Sequence, residues 1–471
     1  MLKSEENDAT ILAHELLAKI CDINGEELSN AFASINNYRS IVISKRNGKK
    51  RQLFAPPNEL LFVQHKLLRN FLYKFIRKSD ASNPFIDPKL MGFIPGKSHV
   101  QHSIEHIKLH SNFILKLDLK DAFPSVKEKD ISNFLESNLL YEFSLYKRAY
   151  CERIKFFELK KAGIIIGTKI GQPPSDKEKL LEWRKEGKTM LAELLPNYPK
   201  DELSAWDAVV SSREFKWQKY YPNFPLFSNK EFPEIRKLIR EDDLYLNLAS
   251  CIIKELTKKM VSLMTYDGVL PQGAPTSGFL FNLIFSRCRV LSRIKELLSS
   301  KNISFTFSVY ADDLVIGFTN KPSKSLVKSI TKLIKNSNIF KVNFEKTKIF
   351  DRASIAPTIT GFRLIRRPAT KEEIEEDIKA FIPGAKKRKE KGGEWIVDRI
   401  SLPKKVQKKI RGLIHYATMN EVEDEVHSKI NGYIGYVCQA YGNSFKNMPN
   451  QLSVPIQQYA EKYNKLKSFT E

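Results

Sequence analysis

The sequence has few cysteines, and none of them lies near another. The residues concerned are Cys21, Cys151, Cys251, Cys288 and Cys438. Because no CxxC pair or His/Cys cluster is present, the sequence offers no zinc ligand set and indicates no disulfide framework. We therefore expect these thiols to lie in the core of a protein that works in a reducing cytoplasm.

A long apolar run is also missing. No stretch approaches the roughly 18 consecutive apolar residues that a membrane-spanning helix requires. The first residues, MLKSEENDATILAHELL, are acidic and typical of a capped helix, not of a signal peptide. The sequence therefore predicts a cytoplasmic protein with no membrane partner.

Acidic residues are scarce relative to basic ones. The 471 residues include 78 Lys and Arg against 54 Asp and Glu, which gives a formal net charge of +24. Self-repulsion of this size destabilises a compact chain unless a polyanion is bound. Nucleic acid is accordingly the expected partner, and the length allows two or three domains.

One stretch, from Phe305 to Phe318, combines adjacent acids with apolar strands. Apolar and polar residues alternate up to Tyr310, and a second apolar segment follows the acids. The pattern predicts a β-hairpin with Asp312 and Asp313 at its tip. Paired acids in a turn are often ordinary solvated residues. A divalent cation such as Mg²⁺ would cancel their repulsion and make the arrangement favourable.

A third acid and a glycine-containing loop lie elsewhere in the chain. The segment FILKLDLKDAFPSV, at 113–126, alternates as a strand does and carries Asp118 near its end. The loop LPQGAPTSG precedes an apolar helix, and its glycines would let the backbone approach a flat base pair closely. The plainer interpretation of this loop is a turn followed by a helix N-cap.

A basic hairpin is predicted near the N-terminus. The segment SIVISKRNGKKRQLFAPP alternates, turns at Asn47-Gly48 and returns, so that five cations fall within seven positions. Such a tip suits a triphosphate or a phosphate backbone, although a solvated loop has the same composition.

Four histidines cluster in the segment GFIPGKSHVQHSIEHIKLH. His102, His106 and His110 share a predicted helical face, but no acidic fourth metal ligand is obvious. Packing or phosphate contact is the favoured interpretation. Residues 127–262 are predicted to be mostly helical and carry no assignable chemistry. The basic remainder after 365 is predicted to be helical as well, and its Lys/Arg runs suit a solvated face and a duplex clamp equally.

Taken together, these motifs resemble a reverse transcriptase of the bacterial retron and defence-associated kind. In chain order, KRNGKKRQLFAPP resembles its basic fingertips, LDLKDAFPSV its first metal motif, LPQGAPTSG its template and nucleotide loop, YADD its catalytic hairpin and VNFEKTKI its lysine-bearing motif. QHSIEH resembles the NAxxH signature, with His102 for Asn and Ser103 for Ala. TITG resembles the VTG signature, with Ile359 for Val. The match covers about Ser40 to Ala440, interrupted at 127–262.

The resemblance implies an α+β fold of the right-hand polymerase type, with fingers, an antiparallel-sheet palm and a helical thumb. The expected boundaries are an N-terminal helical segment at 1–40, fingers at 41–112, a palm at 113–126 and 263–365, a mostly helical insertion at 127–262, and a thumb with C-terminal helices at 366–471.

The resemblance also implies roles for individual residues. The metal ligands would be Asp118 and Asp312, supported by Asp313, and they would hold two Mg²⁺ ions for which Mn²⁺ can substitute. Lys346 would donate a proton to pyrophosphate. The nucleotide-binding residues would be Lys45, Lys49, Arg51, Phe123, Gln272 and Gly273. The thumb residues that track the duplex backbone would be Lys404, Lys405, Lys408, Lys409 and Arg411.

The resemblance places Phe123 at the family's steric-gate position, where a bulky ring would clash with a 2′-hydroxyl, and it therefore implies a DNA product. The expected function is RNA-directed DNA synthesis from dNTPs on a dedicated noncoding RNA, in anti-phage defence, with an effector protein or a homo-oligomer as a further partner. One alternative is a template-independent or protein-primed DNA polymerase of a defence system, which the long insertion and 17 tyrosines leave open. The other is an inactive nucleic-acid-binding scaffold, which the retained aspartates oppose.

Overall fold

The structure is a computed structural model that describes residues 2–44, 50–77, 86–107, 109–140, 165–166, 169–170, 244–369, 371, 374, 386–389, 394–442 and 448–463. The chain divides into two compact units. The first combines Met1–Ala33 with Lys129–Leu263, and the second combines Ser34–Glu128 with Met264–Glu471.

The described helices and strands are numbered in chain order. The helices are α1 (Leu2–Cys21), α2 (Gly25–Ala33), α3 (Asn58–Leu67), α4 (Lys74–Arg77), α5 (His99–Ile104), α6 (Ala122–Ser125), α7 (128–140), α8 (Leu244–Met264), α9 (Ser277–Arg287), α10 (Val290–Ser300), α11 (Lys324–Lys335), α12 (Lys404–Met419), α13 (Asp424–Tyr441) and α14 (Asn450–Tyr463). The strands are β1 (Arg39–Ser44), β2 (Lys50–Ala55), β3 (Phe113–Lys120), β4 (Ile165–Ile166), β5 (Lys169–Ile170), β6 (Phe305–Tyr310), β7 (Asp313–Phe318), β8 (Lys341–Asp351), β9 (Thr358–Ile359), β10 (Phe362–Pro368), β11 (Lys386–Lys389) and β12 (Trp395–Ser401).

The N-terminal segment of the first unit is helical. Within α1, the buried residues Ala9, Ala13 and Leu16 recur three or four positions apart, so they share one face of the helix. The N-terminal helices end at Ala33, and β1 of the second unit begins at Arg39.

The insertion predicted at 127–262 is described only in part. The helices α7 and α8 agree with the predicted helical character, and β4 pairs with β5. For the other residues of this segment, which lie outside the described ranges, the prediction remains open. Across the described helices, none has the length and apolar character needed to cross a membrane.

The second unit contains a four-stranded antiparallel sheet, termed the central sheet, with strand order β6-β7-β3-β8. Leu115, Leu117 and Val315 of its inner strands are fully buried, as are Ile114 and Ile316. Apolar side chains therefore fill both faces of β3 and β7. This architecture confirms the predicted α+β class and antiparallel sheet, while the division into fingers, palm and thumb remains a prediction.

The sequence predicts helix for the basic remainder after 365, and this prediction is wrong for β11 and β12. They are strands of a second antiparallel sheet with order β11-β12-β10-β9. The physical reason lies in β12, where the β-branched Ile396, Val397 and Ile400 are buried and pair with β10. The Lys-rich stretch before β12 obscured this strand.

One hydrophobic core joins the second sheet to the C-terminal helices. It contains Phe362 of β10, Ile400 of β12 and Ile434 of α13, and it extends to Ile114 and Val315 of the central sheet. The core therefore contains residues from both sides of position 365, near which the sequence analysis places the start of the thumb.

A buried ion pair also links the two sheets. The guanidinium of Arg352, just after β8, donates to the Asp398 carboxylate of β12 at 2.9 Å, and both side chains are fully buried. Arg352 also donates to the Ser111 carbonyl at 2.8 Å, and His110 contacts the second Asp398 oxygen at 2.6 Å. Burial alone would raise the pKa of Asp398, but the His110 hydrogen bond and the Arg352 charge outweigh it and lower that pKa.

Candidate active site

The acidic hairpin predicted at 305–318 is present in the central sheet. Tyr310 of β6 pairs with Asp313 of β7, which leaves Ala311 and Asp312 as a two-residue turn. Ala311 has a φ of +54°, and a positive φ at the first central residue is typical of two-residue hairpin turns. The turn therefore projects Asp312 from the end of the hairpin, as predicted.

Asp118 lies beside this turn. In the pairing of β3 with β7, Asp118 is directly opposite Asp313, and the Leu119 amide donates to the Asp312 carbonyl at 2.9 Å. Three acids that are far apart in the sequence therefore lie on neighbouring backbone positions. A sheet achieves it because antiparallel pairing places residues far apart in sequence on neighbouring strands.

Two lysines neutralise two of these carboxylates. Lys346 contacts both Asp118 oxygens at 2.8 and 2.9 Å, and Lys116 contacts Asp313 at 2.9 Å. For Asp312, burial is the main cause that raises the pKa, and repulsion from Asp313 and Asp118 raises it further. Asp312 is therefore the acid with the greatest need of an added positive charge.

A bulge in β8 brings Lys346 to Asp118. Lys116 pairs with Lys348 and Asp118 pairs with Asn343, so residues 344–347 lie opposite Leu117 alone. Bulges of this kind redirect side chains and are common beside active sites.

The carboxylates fit a divalent cation by their chemistry and backbone placement, because hard cations prefer carboxylate oxygens and would relieve the repulsion at Asp312. They do not form a ready ligand set. Among the side chains that the structure describes, no three His, Cys, Asp or Glu residues are grouped as a metal-binding cluster. A bound cation would therefore compete with Lys116 and Lys346 for the same oxygens.

A cavity of about 460 Å³ opens at this point in the second unit. Asp118, Asp312 and Lys346 line it together with Arg51 of β2 and Phe123 of α6. A cavity lined by both acids and cations suits a ligand that carries both metal ions and phosphates. The remaining lining residues are Lys50, Gln52, Phe54, Leu119, Lys120, Asp121, Ala122, Pro124, Tyr266, Asp267, Val269, Leu270, Pro271, Gln272 and Asn343.

The glycine-containing loop contacts the basic hairpin. The Phe54 amide of β2 donates to the Gln272 carbonyl at 2.8 Å. Gly273 has a φ of +127°, and a Cβ atom there would lie 3.0 Å from the Phe54 carbonyl oxygen. Gly273 is therefore required by a contact within the protein, while its predicted contact with a nucleotide remains a prediction.

The remaining predicted nucleotide-binding and nucleic-acid-binding residues do not line the cavity or lie outside the described residues. Lys45 and Lys49 lie outside the described residues. Lys404, Lys405, Lys408, Lys409 and Arg411 are exposed on α12 and do not line the cavity.

Three residues of the site were missed as candidates. Lys116 could have been found, because it lies two positions before Asp118 and therefore on the same face of a strand. Asn343 and Tyr266 line the cavity, but only the tertiary structure brings them there.

The clustered histidines contact β6, the first strand of the acidic hairpin. His102 Nδ1 and His106 Nε2 each lie 2.8 Å from the hydroxyl of Ser308 in β6. Ser103 donates to the Ile359 carbonyl at 2.9 Å, and Thr360 donates to the His99 carbonyl at 2.9 Å. The two signature segments, QHSIEH and TITG, therefore contact each other, and the histidines pack and hydrogen-bond inside the protein.

Acid should destabilise this histidine network. Burial is the main cause that lowers the pKa of His106, to about 3, and it lowers the pKa of His102 well below the usual value. Because unfolded histidine titrates near about 6.5, the unfolded chain binds protons below that pH and the folded chain does not. Stability therefore falls as the pH falls from 6.5 towards the folded-state pKa.

From pH 7 to pH 5, we expect the free energy of unfolding to fall by about 2 kcal/mol for each buried histidine. Urea unfolding at each pH measures this change. His106→Gln should reduce the pH dependence, whereas His415→Gln, at an exposed position of α12, should leave it unchanged. An equal pH dependence in wild type and His106→Gln would contradict the assignment.

The sequence of this chain is similar to those of known reverse transcriptases. Residues 239–381 match the family model described as reverse transcriptase (RNA-dependent DNA polymerase). The retron Mx65 reverse transcriptase of Myxococcus xanthus is 33% identical over 92 residues, which are 20% of this chain and 19% of that protein. The retron Ec73 reverse transcriptase of Escherichia coli is 20% identical over 401 residues, covering 84% of this chain and 80% of that protein.

A solved structure gives a weaker similarity. The telomerase from Candida albicans, in complex with a TWJ fragment of telomeric RNA, has 12% identity and a TM-score of 0.34, covering 90% of this chain and 54% of that chain. A TM-score of 0.34 is too low to indicate a shared fold. The match to the Mx65 protein spans about a fifth of that relative's length.

Proposed function

We propose that this chain, which contains a reverse transcriptase domain and resembles the bacterial retron reverse transcriptases, is an RNA-directed DNA polymerase. The resemblance predicted from the motifs is confirmed by the family match and the retron relatives. The observation that carries the proposal is the placement of Asp118 opposite Asp313 and beside Asp312, at a cavity lined by cations and by Phe123.

The carboxylates are the proposed metal site. Asp118 and Asp312 would be the direct ligands of two Mg²⁺ ions, with Mn²⁺ as a substitute, and Asp313 would support them. When bound, such ions lower the pKa of a primer 3′-hydroxyl and neutralise charge on the triphosphate. The protein holds the carboxylates of this site in fixed positions, because β3 and β7 are buried strands whose pairing sets the register of the acids.

The other cavity residues would bind the incoming nucleotide. Arg51, with the neighbouring Lys50, would contact the triphosphate, and Gln272 would contact the nucleotide or template. Phe123 would exclude a 2′-hydroxyl by steric clash. Lys346, once separated from Asp118, would donate a proton to the departing pyrophosphate.

Helix α12 would contact the duplex backbone. Its cations Lys404, Lys408 and Arg411 are exposed along the helix, and Lys409 lies 5.4 Å from the ring centre of Tyr433. Each phosphate contact should steepen the salt dependence of binding by about 0.9 in log–log slope. Binding through this helix should therefore weaken strongly with salt.

Primer extension tests the proposal. Purified protein is incubated with an RNA template, a DNA primer, Mg²⁺ and dNTPs, and the product is sequenced. A faithful copy of the template is the expected result. A homopolymer or random product would instead support the template-independent or protein-primed alternative, and tight RNA binding with no incorporation would support the inactive scaffold.

The biological setting proposed here is a cytoplasmic anti-phage system in which the protein copies a dedicated noncoding RNA. This part rests on the family resemblance alone. The RNA and DNA that copurify with the protein should be sequenced, and cells carrying wild type or Asp312→Asn should be challenged with phage. Absence of a defined RNA, or equal protection by both forms, would reject it.

Lys346→Met should have opposite effects on metal binding and on catalysis. The ammonium group competes for both Asp118 oxygens, so its loss should lower the Kd for Mn²⁺ by about two- to fivefold, the value of a partly exposed ion pair. Nucleotide addition should slow by about 10²-fold through loss of the proton donor.

Mn²⁺ binding can be measured by electron paramagnetic resonance without any nucleotide. Lys348→Met removes an exposed charge from the same strand and should change the Kd less. Weaker Mn²⁺ binding by Lys346→Met would show that the lysine does not compete for the acid.

A further inference from the structure

Phe93 lies in a backbone conformation that bulky side chains rarely adopt. Its φ is +57°, in the left-handed region. For a residue with an aromatic side chain this is a genuine outlier, and it persists only where the surrounding structure holds it. Burial of the ring does not account for this backbone conformation, because the residue remains 46% exposed.

The surrounding contacts fix the loop that carries Phe93 against the acidic hairpin. The Met91 amide donates to the Val309 carbonyl of β6 at 2.7 Å. The side-chain amide of Asn282 donates to the Gly92 carbonyl at 2.6 Å. A Cβ atom at Gly92 would lie 2.9 Å from the Ala311 amide nitrogen, so this backbone rests directly on the hairpin turn.

A second glycine makes room for the Phe93 ring. A Cβ atom at Gly278 of α9 would lie 2.2 Å from Cγ of Phe93, closer than any side chain tolerates. The absence of a side chain at Gly278 therefore lets the ring occupy its present position.

The ring packs against the residue proposed to exclude ribonucleotides. Phe93 meets Phe123 edge to face, with ring centres 6.0 Å apart, and lies 6.3 Å from the ring centre of Tyr310. The ring centre of Phe281 lies 5.5 Å from that of Phe123. Phe123 therefore contacts two other rings while it lines the cavity.

We infer that Phe93 is a positioning residue that holds the Phe123 ring in place and thereby sets the discrimination between deoxyribonucleotides and ribonucleotides. The inference rests on the proposed polymerase function. Without the Phe93 ring, Phe123 gains space to move back from the cavity, and the clash with a 2′-hydroxyl becomes weaker. The strained backbone at Phe93 is the local consequence of placing a ring at this point.

The test measures kcat and KM for one dNTP and for the matching rNTP. Phe93→Ala should lower the ratio of kcat/KM values by about two- to tenfold, the strength of an aromatic pair. The change should come from the rNTP, through a lower KM or a higher kcat. A merely structural defect would instead lower kcat for both nucleotides alike.

Three further variants complete the experiment. Phe93→Gly lacks the ring but tolerates the positive φ, so it should match Phe93→Ala in selectivity. Gly278→Ala should also relax selectivity, because the added Cβ displaces the ring. Phe62→Ala removes a comparably exposed ring from α3 and should leave the ratio unchanged.

An unchanged ratio in Phe93→Gly would overturn the inference, even if Phe93→Ala folds poorly. A wild-type protein that incorporates no nucleotide would reject the proposed polymerase function instead. The two failures are therefore distinguishable.

Discussion

Asp312→Asn and Asp118→Asn should each lower nucleotide incorporation by about 10³-fold or more, which corresponds to ~4 kcal/mol of lost transition-state stabilisation. Both changes remove a negatively charged oxygen from the proposed metal site while preserving side-chain shape. Asp313→Asn should be less harmful, since Asp313, unlike Asp118 and Asp312, does not line the cavity. Primer-extension rates under single-turnover conditions measure the three effects.

The same variants should not harm the fold. Asp312 is destabilised in its charged form by burial and by two neighbouring acids, so Asp312→Asn should leave the melting temperature unchanged or higher. Asp351→Asn, at an exposed position at the end of β8, is the matched control and should retain activity. Wild-type incorporation rates in Asp118→Asn and Asp312→Asn would refute the proposed site.

Arg352→Met should destabilise the second unit by about 3–5 kcal/mol, because removing one partner leaves the Asp398 carboxylate buried without its ion-pair partner. This cost is a large share of the stability of a typical domain. The double variant Arg352→Met/Asp398→Leu should recover most of the loss, since no unpaired charge then remains. Chemical denaturation of the three proteins measures the effect.

Lys328→Met is the control for this series. It removes an exposed charge from α11 and should change the free energy of unfolding by no more than about 0.5 kcal/mol. A loss in Arg352→Met no larger than in this control would mean that the buried pair does not stabilise the junction between the two sheets.

The pH dependence of this pair follows from the lowered pKa of Asp398. A carboxylate with a depressed folded-state pKa stabilises the protein above the unfolded pKa, about 3.9, and loses that contribution as the pH falls towards the folded-state value. The ion pair should therefore remain effective at pH 5, where His102 and His106 already weaken the fold. The two networks can be separated by their pH ranges.

Local sequence patterns are sufficient to predict the secondary-structure elements of the site and the family to which its motifs point. Alternating residues around YADD predicted the hairpin, and the strand at 113–126 predicted a third acid, because side-chain periodicity depends only on neighbouring residues. The family resemblance rested on short motifs that do not require a three-dimensional arrangement. The strand β12 was missed because a Lys-rich stretch beside it favoured a helical interpretation.

The contacts between these elements, in contrast, follow from the three-dimensional fold. The register of β3 with β7 places Asp118 opposite Asp313. The bulge in β8 brings the side chain of Lys346 into contact with Asp118. Neither the Lys116–Asp313 pair nor the contact of Phe93 with Phe123 follows from spacing, since the partners are far apart in the chain. Long-range pairing depends on the packing of the whole core, and no local pattern contains that information.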